Sequence, residues 1–222
     1  MSVTPWSYSR MKLFEQCPKK YYHLNIARDY KEPQSDAMRY GNEFHTACEV
    51  YIRDGVDLPP AFEFARATLD ALAAKDGDKH CEYRMGLTHD LEPCGFSDKN
   101  VWYRGIADLI ILNGEDAMVV DYKTGKSDKY ADPDQLELMA LSVFKHFPQI
   151  KRVRVGLVFF VPNTLIRNVF LISDADRLWE RWFNNVSRME QAFSNNVWNA
   201  NPSGLCRRHC VVESCVHNGR NQ

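Results

Sequence analysis

Three features of the sequence predict a mixed α/β (α+β) domain. Apolar residues recur at helical spacing before residue 75 and again from residue 134. Between them, residues 101–112 and 118–123 read as two apolar strands around Asn113-Gly114, a strong hairpin signal. Strand-like runs return at 153–161 and 167–172, so a helix separates the hairpin from the later strands.

The elements follow in order. Ser7 is placed to cap a short helix carrying Met11, Leu13 and Phe14, which Pro18 ends or bends. Lys19, Lys20, Tyr21 and Tyr22 then form a basic-aromatic cluster. Such a cluster suits a nucleic-acid strand, or equally a helix end whose amphipathic side chains cover the core. Residues 31–40 read as a polar loop. A helix over 41–53 aligns Phe44, Ala47, Cys48 and Tyr51, and sets His45 and Glu49 four apart. A second helix over 60–74, with Pro in its first turn, carries Phe62, Phe64, Ala65, Leu69 and Leu72. Residues 75–79 form a loop, and 82–87 a first strand whose Glu82 could add a carboxylate to a site but reads first as an exposed strand-edge glutamate. Residues 126–131 are a charged loop. Asp132, Pro133 and Gln135 then have the N-cap, N1 and N3 pattern of a capping box, opening a helix to about Phe147 that buries Leu136, Met139, Ala140 and Phe144. After the strands at 153–161 and 167–172, residues 173–176 cap a long helix. Its Leu178, Trp179, Trp182, Phe183, Val186, Met189 and Phe193 keep helical spacing, the mark of a core stripe. The tail, 201–222, carries Cys206, Cys210 and Cys215.

The hairpin contains what an apolar strand pair should exclude. Asp108, Asp121 and Lys123 interrupt runs of Ile, Leu, Val and Ala, and a buried charge is expensive unless something binds it. If residues 113–116 form the loop, Leu112 pairs with Ala117, Asp108 lies opposite Asp121, and Lys123 shares Asp121's face. Two carboxylates and the Tyr122 peptide carbonyl are hard oxygen ligands of the kind magnesium or manganese prefers. A lysine beside them can hold or deprotonate an attacking water and stabilise charge on a phosphate. The set fits phosphodiester hydrolysis better than acyl transfer, because no Ser-His or Cys-His pair is marked.

The totals bound the rest. The 222 residues carry a formal net charge of −1, so no global basic field announces nucleic acid, and binding must use a local patch. No apolar run spans a bilayer, and residues 1–6 lack the charged-then-apolar order of a signal peptide. A cytoplasmic protein with no membrane partner is expected. The seven cysteines should then be thiols or metal ligands rather than disulfides.

The segment Gly105-Ile-Ala-Asp108, then Asp121-Tyr-Lys123-Thr-Gly125, then Gln135 opening a helix, resembles the PD-(D/E)XK nuclease superfamily, specifically its RecB-like exonuclease branch. Residues 9–21 and Gly41-Asn-Glu-Phe-His45 extend the likeness over most of the chain. The resemblance implies a single restriction-endonuclease-like domain over 1–222, with an αβββαβ core and added N- and C-terminal helices. It implies Asp108 and Asp121 as ligands of Mg2+ or Mn2+, His45 as a further ligand, Lys123 as the catalytic lysine, and Gln135 contacting DNA or orienting Lys123. The family's usual aromatic four residues after the glutamine is Met139 here.

Cys17, Cys206, Cys210 and Cys215 are similar to the one-early, three-late cysteines of AddB-type and CRISPR-associated iron–sulfur nucleases. In those proteins a [4Fe-4S] cluster staples the termini. The spacing here, C-x3-C-x4-C, differs from their C-x2-C-x5-C. Zinc bound with His209 or His217, and plain reduced thiols, remain open. The implied function is a metal-dependent DNA exonuclease of phage or mobile-element type acting on single-stranded ends, with Tyr21, Tyr22 and Trp102 as stacking platforms. The alternative is a catalytically silent nucleic-acid- or partner-binding protein on the same fold.

Overall fold

In a computed structural model the structure describes residues 4–129 and 131–221. Tyr130 of the expected charged loop, residues 1–3 of the start and Gln222 of the tail lie outside them. The chain forms two compact units. One is built from residues up to Gln34 together with those from Glu180 onward, the other from Ser35–Trp179.

The Ser35–Trp179 unit holds a six-stranded mixed sheet: β1 (Asp78–Leu87), β2 (Pro93–Cys94), β3 (Tyr103–Asn113), β4 (Asp116–Lys123), β5 (Arg152–Phe159) and β6 (Thr164–Leu171). The spatial order is β2-β1-β3-β4-β5-β6. Every pairing is antiparallel except β4–β5, which is parallel and therefore needs a crossover. That crossover is α5 (Asp134–His146), buried at every position from Leu136 to Phe144. Its one hydroxyl in that stretch, Ser142 Oγ, donates to the Leu138 carbonyl at 2.7 Å.

Leu112 pairs with Ala117, as the sequence predicts, and Asn113 pairs with Asp116 as well. The expected four-residue loop is thus a two-residue turn, Gly114-Glu115. Gly114 has φ +60° at the first central position, where a type II′ turn takes glycine.

On the other side of the hairpin, α3 (Asp36–Asp54) begins inside the expected polar loop. Ser35 Oγ accepts the Met38 amide, and Gly55 ends the helix at φ +67°. A 3-10 turn (Pro60–Ala65) leads into α4 (Arg66–Ala73). Phe44, Ala47 and Cys48 of α3 pack with Phe62, Ala65, Leu69 and Leu72 and with sheet residues Leu109, Ile111, Val120 and Tyr122. Phe64 leaves this core and is 48% exposed, because a 3-10 turn with three residues per turn changes the face each side chain takes.

In the terminal unit, Ser7 caps α1 (Tyr8–Gln16) and Pro18 opens a second short helix, α2 (Pro18–Tyr21). A π-helical turn (Tyr22–Ala27) follows, and α6 (Ala175–Asn195) contributes from Glu180 onward. Trp6 stacks on Trp182 at 6.2 Å, and Phe14, Tyr21 and Trp198 form a second aromatic group. Tyr21 is buried there, and Trp102 is buried in the larger unit, so neither is a free stacking platform; Tyr22 is half-buried against Trp198. No helix among the described residues is long and apolar enough to cross a membrane.

Candidate active site

One row across the sheet carries three carboxylates: Glu82 on β1, Asp108 on β3 and Asp121 on β4. The ladder breaks at this row. β1 and β3 pair at Cys81↔Leu109 and at Tyr83↔Ala107, skipping the residues between. The β3–β4 pairing ends at Leu109↔Val120. Glu82 has φ +48°, a conformation costly to a residue with a Cβ and one that clusters at functional sites. Asp108 fills the opening with its own carboxylate: Oδ2 accepts the Tyr122 amide at 2.6 Å in place of a strand partner.

The other oxygen of Asp108, Oδ1, lies 3.1 Å from His45 Nδ1, and the same nitrogen is 3.9 Å from Glu82 Oε1. One ligand atom from each of His45, Glu82 and Asp108 falls within 4.8 Å of the others. Two carboxylates and an imidazole in that space form a donor set suited to a hard divalent cation. Glu82 is therefore not the solvated edge glutamate the sequence suggests. β2 pairs with β1 only at Gly86 and Leu87, so Glu82 still lies on an outer stretch of β1, and it is the backbone break that turns it beside Asp108.

Asp121 belongs to a neighbouring group. It is buried, its Oδ1 accepts Gln135 Nε2 at 2.8 Å, and Lys123 Nζ lies 2.7 Å from Oδ2. Lys123 Nζ also donates to Gln135 Oε1 at 3.2 Å, which closes a triangle. The lysine contact with Oδ2 is a charge pair of poor angular geometry, and Oδ2 has no well-aligned donor. Gln135 is not a capping-box member. Asp132 Oδ1 does accept the Asp134 amide at 3.1 Å, but the Gln135 amide turns to the strand residues instead of its own helix start. The reason is electrostatic: a buried carboxylate rewards a donor more than a helix end open to water does.

Protonation follows the crowding. Burial, then the charge of Asp108, raises the Asp121 pKa to about 6, with Lys123 opposing. Burial and Asp108 also raise Glu82. Burial alone would lower His45, but its hydrogen bond to Asp108 and the charges of Asp108, Asp121 and Glu82 raise it overall. Cys48, in the core below, is pushed up to about 12 by burial and by Asp108. Too much negative charge lies in too little solvent, and a bound cation would correct that.

The structure thus brings His45 to Asp108 and joins Asp121, Lys123 and Gln135. Glu82 is the residue that sequence reasoning undervalued. Tyr122 has its ring in the core and its amide on Asp108.

In the terminal unit, Cys17, Cys206, Cys210 and Cys215 line one cavity of about 20 Å³, with His217 beside them; His209 lines an adjacent one of about 60 Å³. All seven cysteines are free. The amides of Lys20 and Asn201 each point at Cys17 Sγ from 3.5 Å, and the Ser203 amide at Cys206 Sγ from 3.4 Å. Among the described residues, no three cysteine or histidine ligand atoms of this group come within 4.8 Å of one another.

An αβββαβ order around a mixed sheet, with carboxylates, histidine and lysine gathered where two strands part, defines a restriction-endonuclease-like domain with a candidate metal site. The model of the PD-(D/E)XK nuclease superfamily matches residues 5–215, and the chain belongs to that superfamily. Among solved structures, the chain is similar to a "Putative exonuclease" from Eubacterium rectale. The two share 12% identity and a TM-score of 0.57 over 96% of this chain and 95% of that one. At that identity the likeness is one of fold. A more distant likeness is to SSO0001, with 14% identity and a TM-score of 0.42 over 98% of this chain and 89% of that one. No curated protein matches the chain.

Proposed function

We propose that the chain is a divalent-metal-dependent DNA exonuclease of the RecB-like branch, using Mg2+ or Mn2+ and acting on single-stranded ends. The observation that carries the reading is the pair of linked groups at the strand opening: His45, Glu82 and Asp108 on one side, Asp121, Lys123 and Gln135 on the other. The first group fits a hard cation by donor type and spacing, and the poorly satisfied Asp121 Oδ2 and the Tyr122 carbonyl complete the proposed ligand set. When bound, the cation supplies Lewis-acid polarisation of the phosphodiester and a more acidic water.

The remaining work belongs to side chains. An ammonium group has three donor hydrogens. Gln135 Oε1 takes one from Lys123 Nζ, the charge of Asp121 Oδ2 draws the ammonium toward it without an aligned bond, and a third is left for the attacking water or a non-bridging phosphate oxygen. Gln135, held by both, fixes where that third hydrogen points.

The proposal extends to the cysteines. Four thiols around one cavity, with backbone amides aimed at two of the sulfurs, suit a [4Fe-4S] cluster that ties the ends of the chain together. The biological setting inferred is recombination, replication or DNA degradation by a phage or mobile element, in the host cytoplasm.

The test uses end-labelled linear single- and double-stranded DNA, with circular DNA as the exonuclease control, in Mg2+, Mn2+ or EDTA. Wild type should degrade linear single strands with either metal and stop in EDTA, and Asp121→Ala and Lys123→Ala should be inactive. Full activity in both variants would sink the site assignment. DNA binding without cleavage under every condition would favour a catalytically silent binding protein.

A further inference from the structure

The cavity that holds His45, Glu82 and Asp108 measures about 670 Å³ and is a hostile place for a polyanion. Glu49, Glu82 and Asp108 all line it, and Arg84 is the only arginine or lysine among its described lining residues. Arg84 lies two residues beyond Glu82 on β1 and pairs with Ile106, while Arg104 pairs with Gly86 one step further along. Positions two apart on a strand share a face and lie ~6.6 Å apart. Arg84 and Arg104 therefore extend one face of the sheet away from the carboxylate row in two steps.

The two arginines converge on one ring. The guanidinium carbons of Arg84 and Arg104 lie 5.5 Å and 5.2 Å from the Phe96 centroid. Phe96 is itself fixed in a tight turn: the Gly95 amide donates to Asp98 Oδ2 at 2.7 Å and the Asp98 amide to the Gly95 carbonyl at 3.0 Å. Among the described residues neither arginine has an ion-pair or hydrogen-bond partner, and Arg104 Nε is buried without an acceptor. Two cations gathered over one ring repel each other, and forked N–H donors without acceptors are costly. An anion with several oxygens relieves both problems.

We propose that Arg84 and Arg104, held by Phe96, form a ledge that binds the phosphate backbone of a nucleic-acid strand beside the metal cluster. This deepens the nuclease reading and rests on it for the identity of the polyanion. The ledge offsets the local acidic field and fixes the strand's direction across the carboxylate row, while the bases stay free of contact with it. Binding through the ledge is therefore independent of sequence.

The experiment measures anisotropy of a fluorescein-labelled single-stranded oligonucleotide across a salt series, with Ca2+ in place of Mg2+ so that the strand survives. Arg84→Gln and Arg104→Gln should each weaken binding about tenfold. Each should also flatten the log–log salt slope by ~0.7, the loss of one single-strand phosphate contact. Arg84→Lys should keep the slope and lose less affinity, since it keeps the charge without the fork. In Mg2+ the Gln variants should raise KM with kcat nearly unchanged. Arg104 is partly buried and its replacement risks misfolding, whereas Arg84 is exposed and reads the same ledge without that risk. Wild-type affinity and slope in Arg84→Gln would overturn the ledge, as would a wild type that binds no DNA. A wild type that binds with the expected slope losses but never cleaves would leave the ledge standing and remove the nuclease reading.

Discussion

Gln135 illustrates how little of a side chain's role its local pattern decides. Three residues after an aspartate and two after a proline-opened turn, it has every mark of a helix cap, yet its amide bridges Asp121 and Lys123 across two elements. Gln135→Ala should cut cleavage by about 10–100-fold, the usual cost of losing a partner that orients a reactive group, and Lys123→Ala by ~10²–10⁴-fold. Single-turnover rates on labelled single strands would rank the two, and equal losses would mean that Gln135 does more than hold the lysine. Glu82→Gln should weaken Mn2+ binding about tenfold by calorimetric titration, and wild-type affinity would remove it from the ligand set. Asp121 makes the pH argument. Its folded pKa lies above that of an unfolded aspartate, so the folded state holds the proton more tightly. Its contribution to metal-free stability is full below about pH 4 and is lost as pH rises through about 6. Urea melts in EDTA should show Asp121→Asn more stable than wild type at pH 7.5, with the gap closing at pH 4.5. A gap that does not change with pH would mean that the carboxylate is not strained. Asp108, Asp121 and Lys123 were legible because charge inside apolar strands is anomalous in any register. Glu82 was not, because its place opposite Asp108 depends on an irregular connection, residues 88–102, whose path no local rule specifies.

At the scale of elements, the hairpin and the crossover helix were the most readable parts. Their signals are local: Asn113-Gly114 limits the turn to a few geometries, and Asp132-Pro133 followed by Leu136, Met139, Ala140 and Phe144 at helical spacing marks the helix. Gly114 carries the turn at φ +60°, so Gly114→Ala should cost about 1 kcal/mol. Chemical denaturation would read that loss, and unchanged stability would show that the turn relaxes to another type at no cost. What was misread was also local. The start of α3 lay in a stretch with no apolar stripe, so its Ser35 cap had no periodic pattern beside it. Phe64 fits an α-helical stripe and leaves the core only because its segment winds as a 3-10 turn, a choice propensity does not predict. The aromatic residues misjudged as platforms failed for a different reason. Tyr21 follows two lysines, and its burial comes from a partner distant in the chain, Trp198, while Trp102 is buried at the start of an apolar run.

At the scale of the molecule, the terminal unit draws on both ends of the chain, residues up to Gln34 and those from Glu180 onward, so forming it closes nearly the whole polypeptide into a loop. Closing a loop of that length has an entropic cost that grows slowly with length but must be met before the contacts that reward it form. Small aromatic clusters and two short cavities are modest compensation, and the four cysteines lie where a bound group would add the most. A ligand that binds the closed arrangement and not the open chain stabilises it by mass action, by ~2.7 kcal/mol at a hundred times its Kd. In a chain of this size 1 kcal/mol moves Tm by ~2–4 °C. Protein purified anaerobically with iron should therefore be brown, contain iron at the cysteines, and melt several degrees above the same protein stripped of iron. Cys17→Ser should lose both the colour and the added stability while keeping the divalent-metal binding of the larger unit, since Cys17 is no part of that unit. Colourless, iron-free protein that melts at the same temperature as Cys17→Ser would reduce the four cysteines to ordinary thiols. The closed ends would then rest on aromatic packing around Trp6, Trp182 and Trp198 and on hydrogen bonds such as that from the Lys19 amide to the Asn199 carbonyl.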